Sequence, residues 1–437
     1  MLSILNKKIE ASKMKMGVLG AGYIGLPLSI EMSKRNNVVL FDTDINRINK
    51  LKNNQSYIDD VLSSALETAL SQGHLLPSNE EEDLIGLDCY FICVPTPLHQ
   101  KSSIPDLSYI EQAARIVANS ITDGAVVILE STSYPGTTEE IVMPIFEANG
   151  LALDRDYCLS FSPERVDPGN KLYNTANTDK IVGECTELSS FLTAKVLKEN
   201  LECNVYTVSS PRVAEMAKIL ENSYRNVNIG LINEFAIICN HMNIDIWEVI
   251  EAAKTKPFGF QPFFPGPGVG GHCIPVDPIY LSYKAKELGL ETSLIDSSQK
   301  ILNYMPTYIV SRIEHILTKR VHKGIKGSCL LVMGVTYKEN ISDYRESPAI
   351  KIIDILFQKG CKVFYYDSHI EKILVGDKEL KSLSETDIYK QLFDLILITT
   401  NHSDFEYDKL LKMHTIIFDT RNALKQVSQE SESIIKL

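Results

Sequence analysis

Val18-Leu-Gly20-Ala-Gly22-Tyr23-Ile24-Gly25 decides how this chain is read. The motif follows a short apolar run, Met16–Leu19, and opens a segment with helical spacing. The first glycine permits a tight turn. The second lets the backbone approach a pyrophosphate, and the third allows helix and strand to pack closely. The helix start then offers unpaired N–H groups and a partial positive charge to phosphates. Asp42 closes the next apolar run, Val38–Phe41, at the offset of ~20 residues where a ribose-binding acid stands. An acid there accepts hydrogen bonds from a ribose diol and repels a 2′-phosphate, which favours NAD over NADP. Arg47 lies a helical turn further on. It reads either as a contact to the adenosine or a 2′-phosphate, or as a solvated helix residue.

Outward from that motif, further apolar runs stand at Cys89–Val94, Val126–Leu129 and Cys158–Phe161. Helical spacing, as in Tyr109–Ser120, separates them. Continuous apolar runs bounded by turn residues predict parallel strands buried on both faces, and the alternation predicts a doubly wound sheet. The rhythm changes at Ser210-Pro211, a cap followed by a proline suited to a first helical turn. No proline follows until beyond Met242, and apolar residues recur from Val213 to Phe235 at helical spacing. The spacing predicts one long helix, in which Gly230 is tolerated at a cost of ~1 kcal/mol. A Pro/Gly-rich loop, Pro257 to Cys273, and more helix at Tyr280–Leu288 and Ser297–Leu317 follow. Strand runs return at Cys329–Val335, Lys362–Tyr366, Leu395–Thr399 and Thr415–Asp419. Phe91-Ile-Cys-Val-Pro-Thr96 is echoed by Leu395-Ile-Leu-Ile-Thr-Thr400. The fold expected is α/β: two Rossmann-like doubly wound domains, 1–210 and 321–437, joined by a long central helix and a helical middle domain, 211–320.

Composition narrows the function. The chain has 437 residues and a net charge of −12, which argues against nucleic acid or an anionic membrane surface as partner. An anionic substrate would need a local basic site. The nine cysteines are odd in number, scattered and without a CxxC pair. They point to a reducing compartment and to no metal site. No apolar run approaches the ~20 residues of a membrane span, so a cytoplasmic location is expected.

Candidate chemistry gathers in few places. Cys273 ends a glycine-rich loop that can bring a thiol and backbone N–H groups to a substrate. His272 precedes it and Asp277 follows at i+4. Lys218 and Asn222 share one face of the long helix, with Arg225 a turn further. They read either as a catalytic set or as a solvated stripe. Glu164 and Thr132 each follow a predicted strand, where ligand-facing groups collect. Each also has a plainer reading, as a first-turn carboxylate and a helix cap. Lys338 and Arg345 follow the first strand of the C-terminal domain, and Arg421 follows a later one; a diphosphate would suit them.

Together these residues resemble the UDP-glucose/GDP-mannose dehydrogenase family. The resemblance runs from about Met14 to about Leu424. It is carried by Gly20-Ala-Gly-Tyr-Ile-Gly-Leu-Pro27, Val94-Pro95-Thr96-Pro97, Ser162-Pro-Glu164-Arg165, Glu215-Met-Ala-Lys218-Ile-Leu-Glu-Asn222 and Gly270-Gly-His-Cys273-Ile-Pro-Val-Asp277. His272 and Pro265-Gly-Pro-Gly268 are similar to the branch acting on UDP-N-acetylhexosamines, above all UDP-N-acetylglucosamine. UDP-N-acetylmannosamine and UDP-glucose remain alternatives, and a two-electron β-hydroxyacid dehydrogenase is a more distant one.

The resemblance implies an NAD-dependent oxidation of the sugar C6 alcohol to a carboxylate through a thiohemiacetal and a thioester on Cys273. Lys218 would stabilise oxyanions, Asn222 and Asp277 would position a water, and Glu164 would serve as base. Thr132 would meet the cofactor or that water. Tyr23, Ile24, Pro95, Thr96 and Arg345 join the glycines, Asp42 and Arg47 as implied cofactor contacts. Arg165, Arg225, Phe264, Gly270, Lys338 and Arg421 are implied substrate contacts. A homodimer or larger homo-oligomer through the central helices is implied as well. The residues before Met14 exceed the usual start of such chains and receive no role.

Overall fold

The computed structural model describes residues 2–99, 104–426 and 432–437. The chain divides into two units, Met1–Glu221 with Ile279–Leu290, and Asn222–Pro278 with Glu291–Leu437.

In the first unit the strands are β1 (Lys15–Leu19), β2 (Asn37–Phe41), β3 (Leu75–Ser78), β4 (Cys89–Ile92), β5 (Ala125–Leu129), β6 (Tyr157–Phe161), β7 (Lys180–Glu184) and β8 (Val205–Val208). They form one sheet in the order β3-β2-β1-β4-β5-β6-β7-β8. Strands β1 to β6 pair in parallel, β7 runs antiparallel to β6, and β8 runs parallel to β7. Alternate residues of β5 serve two cores. Val126 and Ile128 join the cluster under the helices Gly25–Ser33 and Glu187–Asn200, while Val127 and Leu129 join the one under Ser108–Ser120. Coverage on both faces is why these strands are continuously apolar. Strand order reverses between β1 and β4, and ligands of such sheets bind at the carboxyl ends beside that reversal.

The residues before Met14 also find a place. Helix Leu2–Glu10 buries Leu5 and Ile9 in the first core, and Lys8 Nζ pairs with Asp88 at 2.5 Å. Asp88 in turn accepts the Lys15 N–H at 2.9 Å, fixing the start of β1.

The second unit holds β9 (Cys329–Met333), β10 (Lys362–Tyr366), the hairpin β11 (Lys372–Val375) and β12 (Lys378–Lys381), then β13 (Leu395–Ile398), β14 (Ile417–Asp419) and β15 (Ile434–Lys436). Its main sheet is parallel, ordered β10-β9-β13-β14-β15. This is the other common doubly wound order. The echo in the sequence is therefore structural, because β4 and β13 hold the same place beside the first strand of their sheets.

Both Rossmann-like sheets and the helical middle match the expected architecture. The long helix is Pro211–Met242, and Ser210 Oγ accepts the Val213 N–H at 3.3 Å as its cap. The helix runs through Gly230 as expected, and the missing side chain makes room for a neighbour. A Cβ there would lie 2.2 Å from Ser298 Oγ on the helix Ser293–Ile316. That hydroxyl donates to the Asn226 carbonyl at 2.8 Å, so the two helices meet backbone to side chain.

Candidate active site

The turn after β1 is shaped by its neighbours. Gly20 has φ +103°, and a Cβ on it would lie 2.4 Å from the Cys93 carbonyl oxygen at the end of β4. A Cβ on Gly25 would lie 1.9 Å from the Gly20 carbonyl oxygen, so the helix packs tightly on the turn. Around Gly22 a Cβ would meet nothing within 4 Å. That open face beside a helix start fits a pyrophosphate. Ile24 stands at the N-cap of Gly25–Ser33, and Tyr23 lies at the surface beside it. Asp42 follows β2, mostly buried. Its Oδ2 accepts the Ala21 N–H and its Oδ1 the Asp44 N–H, both at 2.8 Å. Arg47 reaches Asp42 at 3.3 Å and Asp44 at 3.6 Å. Pro95 and Thr96 follow β4, where the Thr96 carbonyl accepts the Tyr280 hydroxyl.

Beyond β5 and β6 the charges go inside. Glu164 is buried. Its Oε1 accepts the N–H groups of Arg165 and Val166 at 2.7 and 2.8 Å, and its Oε2 faces Lys180 Nζ at 2.8 Å. Glu130, fully buried after β5, meets the same ammonium at 3.4 Å. Lys180 opens β7, and the antiparallel pairing of β7 with β6 sets it beside Glu164.

The two carboxyls differ. Burial opposes ionisation of Glu164, but the Lys180 cation and the two N–H donors outweigh it and hold the carboxyl below its ordinary value. Burial pushes Glu130 up to about 7 against the weaker pull of Lys180. Burial also disfavours the Lys180 cation, yet the two carboxylates outweigh it and raise that lysine above its ordinary value. Lys218, also buried, donates from Nζ to the Glu164 carbonyl at 2.5 Å. It is therefore not a solvated residue. Thr132 is half-buried in the loop after β5, and since the following helix begins at Thr138 it does not cap it. Arg165 is engaged internally, at 2.8 Å from Glu221 and 3.1 Å from the Asp179 carbonyl.

In the second unit, Asn222 Nδ2 donates to Asp277 Oδ2 at 2.5 Å, with both side chains buried. The Pro/Gly-rich loop is tied to its helix by asparagines. Asn226 donates to the Ile274 carbonyl at 2.9 Å, and Asn233 accepts the Gly266 N–H at 3.0 Å. Gly270 permits close approach, for a Cβ there would lie 2.7 Å from the Glu346 carbonyl oxygen. The Cys273 carbonyl accepts the Asp277 N–H at 2.8 Å at the start of helix Asp277–Glu287. Cys273 is exposed, while the other eight cysteines are buried or half-buried. His272 beside it is held below its ordinary value, first by desolvation and then by the Arg345 cation.

Arg345 pairs with Asp343 through three side-chain contacts, at 2.6, 2.9 and 3.1 Å. Lys338 is half-buried in the same loop. Arg421 Nε donates to the Thr399 carbonyl at 2.8 Å, its guanidinium lies against Gly266, and burial pulls it down to about 10. Phe264 is exposed and stacks on Trp247 with ring centroids 6.2 Å apart; Arg225 is exposed.

Sequence reasoning named Asn222 but missed Lys180 and the loop anchors Asn226 and Asn233. Asn222, Asn226 and Asn233 do share one face of a helix, a signal open to reading. Lys180 has no such local signal.

A pyrophosphate turn of this form, paired with a strand-end acid, belongs to the dinucleotide-dependent dehydrogenases as a class. The chain itself belongs to the UDP-glucose/GDP-mannose dehydrogenase family. Residues 14–224 match that family's NAD binding domain, 212–303 its central domain and 331–426 its UDP binding domain. The UDP-N-acetyl-D-glucosamine 6-dehydrogenase of Salmonella typhi is 34% identical over 90% of this chain and 91% of its own. The enzyme of that name from Pseudomonas aeruginosa is 33% identical over 97% and 99%. Among solved structures, UDP-D-ManNAc dehydrogenase from Pyrococcus horikoshii superposes with a TM-score of 0.86 at 32% identity, covering 97% of this chain and 98% of that one. The protein is thus an enzyme of the NAD-dependent UDP-sugar dehydrogenases, acting on a CH–OH group. Among the described residues no helix is long and apolar enough to cross a membrane.

Proposed function

We propose that this enzyme oxidises the C6 alcohol of UDP-N-acetyl-D-glucosamine to the carboxylate in two steps, removing four electrons. The observation that carries the reading is Cys273, an exposed thiol on a loop anchored by Asn226 and Asn233. A two-electron dehydrogenase has no use for a thiol held in this way. NAD⁺, when bound, supplies the hydride acceptor for each oxidation. The open face at Gly22 suits its pyrophosphate, and Asp42, with Arg47 tied to it, favours the unphosphorylated ribose.

Lys218 stabilises the oxyanion on the sugar carbon in both oxidations. Asn222 and Asp277, bonded to each other, orient a water for proton transfer. The Cys273 sulfur adds to the C6 aldehyde and holds it as a thiohemiacetal, which becomes a thioester on the second oxidation. Water then opens the thioester, and Glu164 takes its proton. Thr132 contacts the cofactor or this water. Lys338 and Arg421 supply cations for the UDP diphosphate, and Arg225 faces the N-acetylated sugar. Arg345 stands near His272 and completes the cofactor contacts.

Segments 1–210, 211–320 and 321–437 serve as cofactor, central and UDP-sugar domains in this reading. The exposed apolar residues of Pro211–Met242, among them Leu220, Leu231, Phe235 and Ile238, support dimerisation through that helix. The enzyme would act in the cytoplasm and feed surface-polysaccharide synthesis. The neighbour from Pyrococcus favours a second reading, with UDP-N-acetylmannosamine as substrate.

A panel of UDP-sugars followed by NADH absorbance separates the two readings. The expected result is fastest turnover on UDP-N-acetylglucosamine with about two NADH formed per sugar. One NADH per sugar overturns the four-electron reading. Cys273→Ser should yield no carboxylate, and acid production at the wild-type rate by Cys273→Ala overturns the covalent route.

A further inference from the structure

We propose that Lys180 is a positioning residue for thioester hydrolysis: it holds Glu164 as the anionic base, and Glu130 keeps the ammonium in place when Glu164 takes up a proton. The proposal rests on the reading of Glu164 as that base.

Three groups distant in sequence meet at one end of the first sheet. Glu130 follows β5, Glu164 follows β6, and Lys180 opens β7. The ammonium lies 2.8 Å from Glu164 Oε2 and 3.4 Å from Glu130 Oε1, with Lys180 and Glu130 wholly out of solvent. Glu164 is fixed from both sides, since its other oxygen takes two backbone N–H bonds. Glu130 is not. Its Oε2 is buried with no hydrogen-bond partner among the described residues.

Other groups face the trio. The Cys93 thiol after β4 interacts with all three, and Cys203 and Asp179 lie near Lys180. Lys218 Nζ sits on the Glu164 carbonyl, and Arg165 is tied to Glu221. Lys218 and Lys180 thus grip one residue, the first at its backbone and the second at its side chain.

A buried ion trio is poor evidence of stability, because apolar residues of similar volume often fill such a place as well or better. Its chemical use is clear. A buried carboxyl without a cation keeps its proton and cannot act as a base. In hydrolysis, water's oxygen bonds to the acyl carbon, its proton passes to Glu164, and the C–S bond breaks with the electron pair leaving on Cys273 sulfur. Protonated Glu164 no longer balances Lys180. Glu130, which burial leaves titrating at about 7, is then the carboxylate that balances the ammonium.

The test compares wild type, Glu130→Gln, Lys180→Arg and the double variant Lys180→Met/Glu130→Gln, which leaves no second buried carboxylate unbalanced. Each is given UDP-N-acetylglucosamine and NAD⁺ for a single turnover at pH 6 and pH 8. Carboxylate release and the intact mass of the enzyme are followed. In the double variant, release at pH 6 should be about tenfold slower than at pH 8, because a carboxyl titrating near neutrality loses its base form on acidification. An acyl adduct on Cys273 should accumulate at pH 6. Lys180→Arg should keep the wild-type ratio of the two rates, while Glu130→Gln should slow release at both pH values; release by Glu130→Gln at the wild-type rate overturns the part given to Glu130. A double variant with the wild-type ratio and no adduct overturns the proposal; if that variant does not fold, Lys180→Gln/Glu130→Gln is read in the same way. Acid release at the wild-type rate by Glu164→Gln would instead overturn the base assignment, and the role of Lys180 with it.

Discussion

Asp42 both builds the dinucleotide turn and equips it. Its two oxygens hold the Ala21 and Asp44 N–H groups, and the same charge is the one a ribose diol would meet. Charged hydrogen bonds are worth ~1.5–3 kcal/mol, so Asp42→Asn should raise the KM for NAD by about tenfold or more. With that charge removed, NADP should gain relative to NAD; initial rates with both cofactors check this. Glu130 makes a different prediction, for stability. Its folded value, about 7, lies above the ordinary 4.5. The folded state therefore holds the proton more tightly, and stability falls as pH rises from the ordinary value through the folded one. Glu130→Gln removes that loss. Its stability relative to wild type should improve by about 1 kcal/mol between pH 6 and pH 8, seen in denaturant melts at the two pH values. An unchanged difference would mean that Glu130 is ionised throughout.

At the scale of elements, the helix Pro211–Met242 carries distinct stripes. One holds Asn222, Asn226 and Asn233, which fasten Asp277 and the Pro/Gly-rich loop. Gly230 lies against Ser298, and Gly230→Ala should cost about 1–3 kcal/mol through overpacking, more than helix propensity would return, as a thermal melt can test. A further stripe, including Leu231 and Phe235, is apolar and nearly half exposed. Leu231→Glu with Phe235→Glu should shift the protein to monomer in light scattering, since patches of this kind mark association sites. A wild-type protein that is already monomeric would defeat that prediction.

The helix was readable because its spacing is local. The same is true of β1, β2, β4, β5 and β6, whose burial on both faces makes them continuously apolar. Strand β7 was not, because it begins with a buried lysine that a pattern reader assigns to solvent. Nor was the trio it belongs to, because the antiparallel step from β6 to β7 brings together residues 130, 164 and 180, and nothing in any one segment encodes that step. Cys273 stood between these cases. Its loop composition raised it above the other thiols, but only the resemblance gave it a role.

Across the whole molecule, the two sheets repeat one design and then diverge where a ligand would sit. Gly334 donates to the Tyr366 carbonyl as Gly20 does to that of Phe41, at 2.9 and 2.8 Å. Asp367 accepts the Val335 N–H at 2.6 Å as Asp42 accepts that of Ala21. Yet the place of Gly22 is taken by Thr336, whose hydroxyl donates to the Lys338 carbonyl. His402 lies over Asp367, with Nε2 3.2 Å from Oδ2, and its Nδ1 accepts the Asn340 N–H at 3.0 Å. The Asp367 side chain has no exposure, and its other oxygen takes the His369 N–H at 2.9 Å. A pyrophosphate would meet a side chain where the first unit offers open space, and a ribose diol would find its acid already occupied. The second sheet has kept the Rossmann frame while closing the crevice that a dinucleotide uses. Calorimetric titration with NAD should accordingly give one site per chain, lost or strongly weakened in Asp42→Ala and retained in His402→Ala. Two sites per chain, or loss of binding in the His402 variant alone, would show that the second crevice takes the cofactor after all.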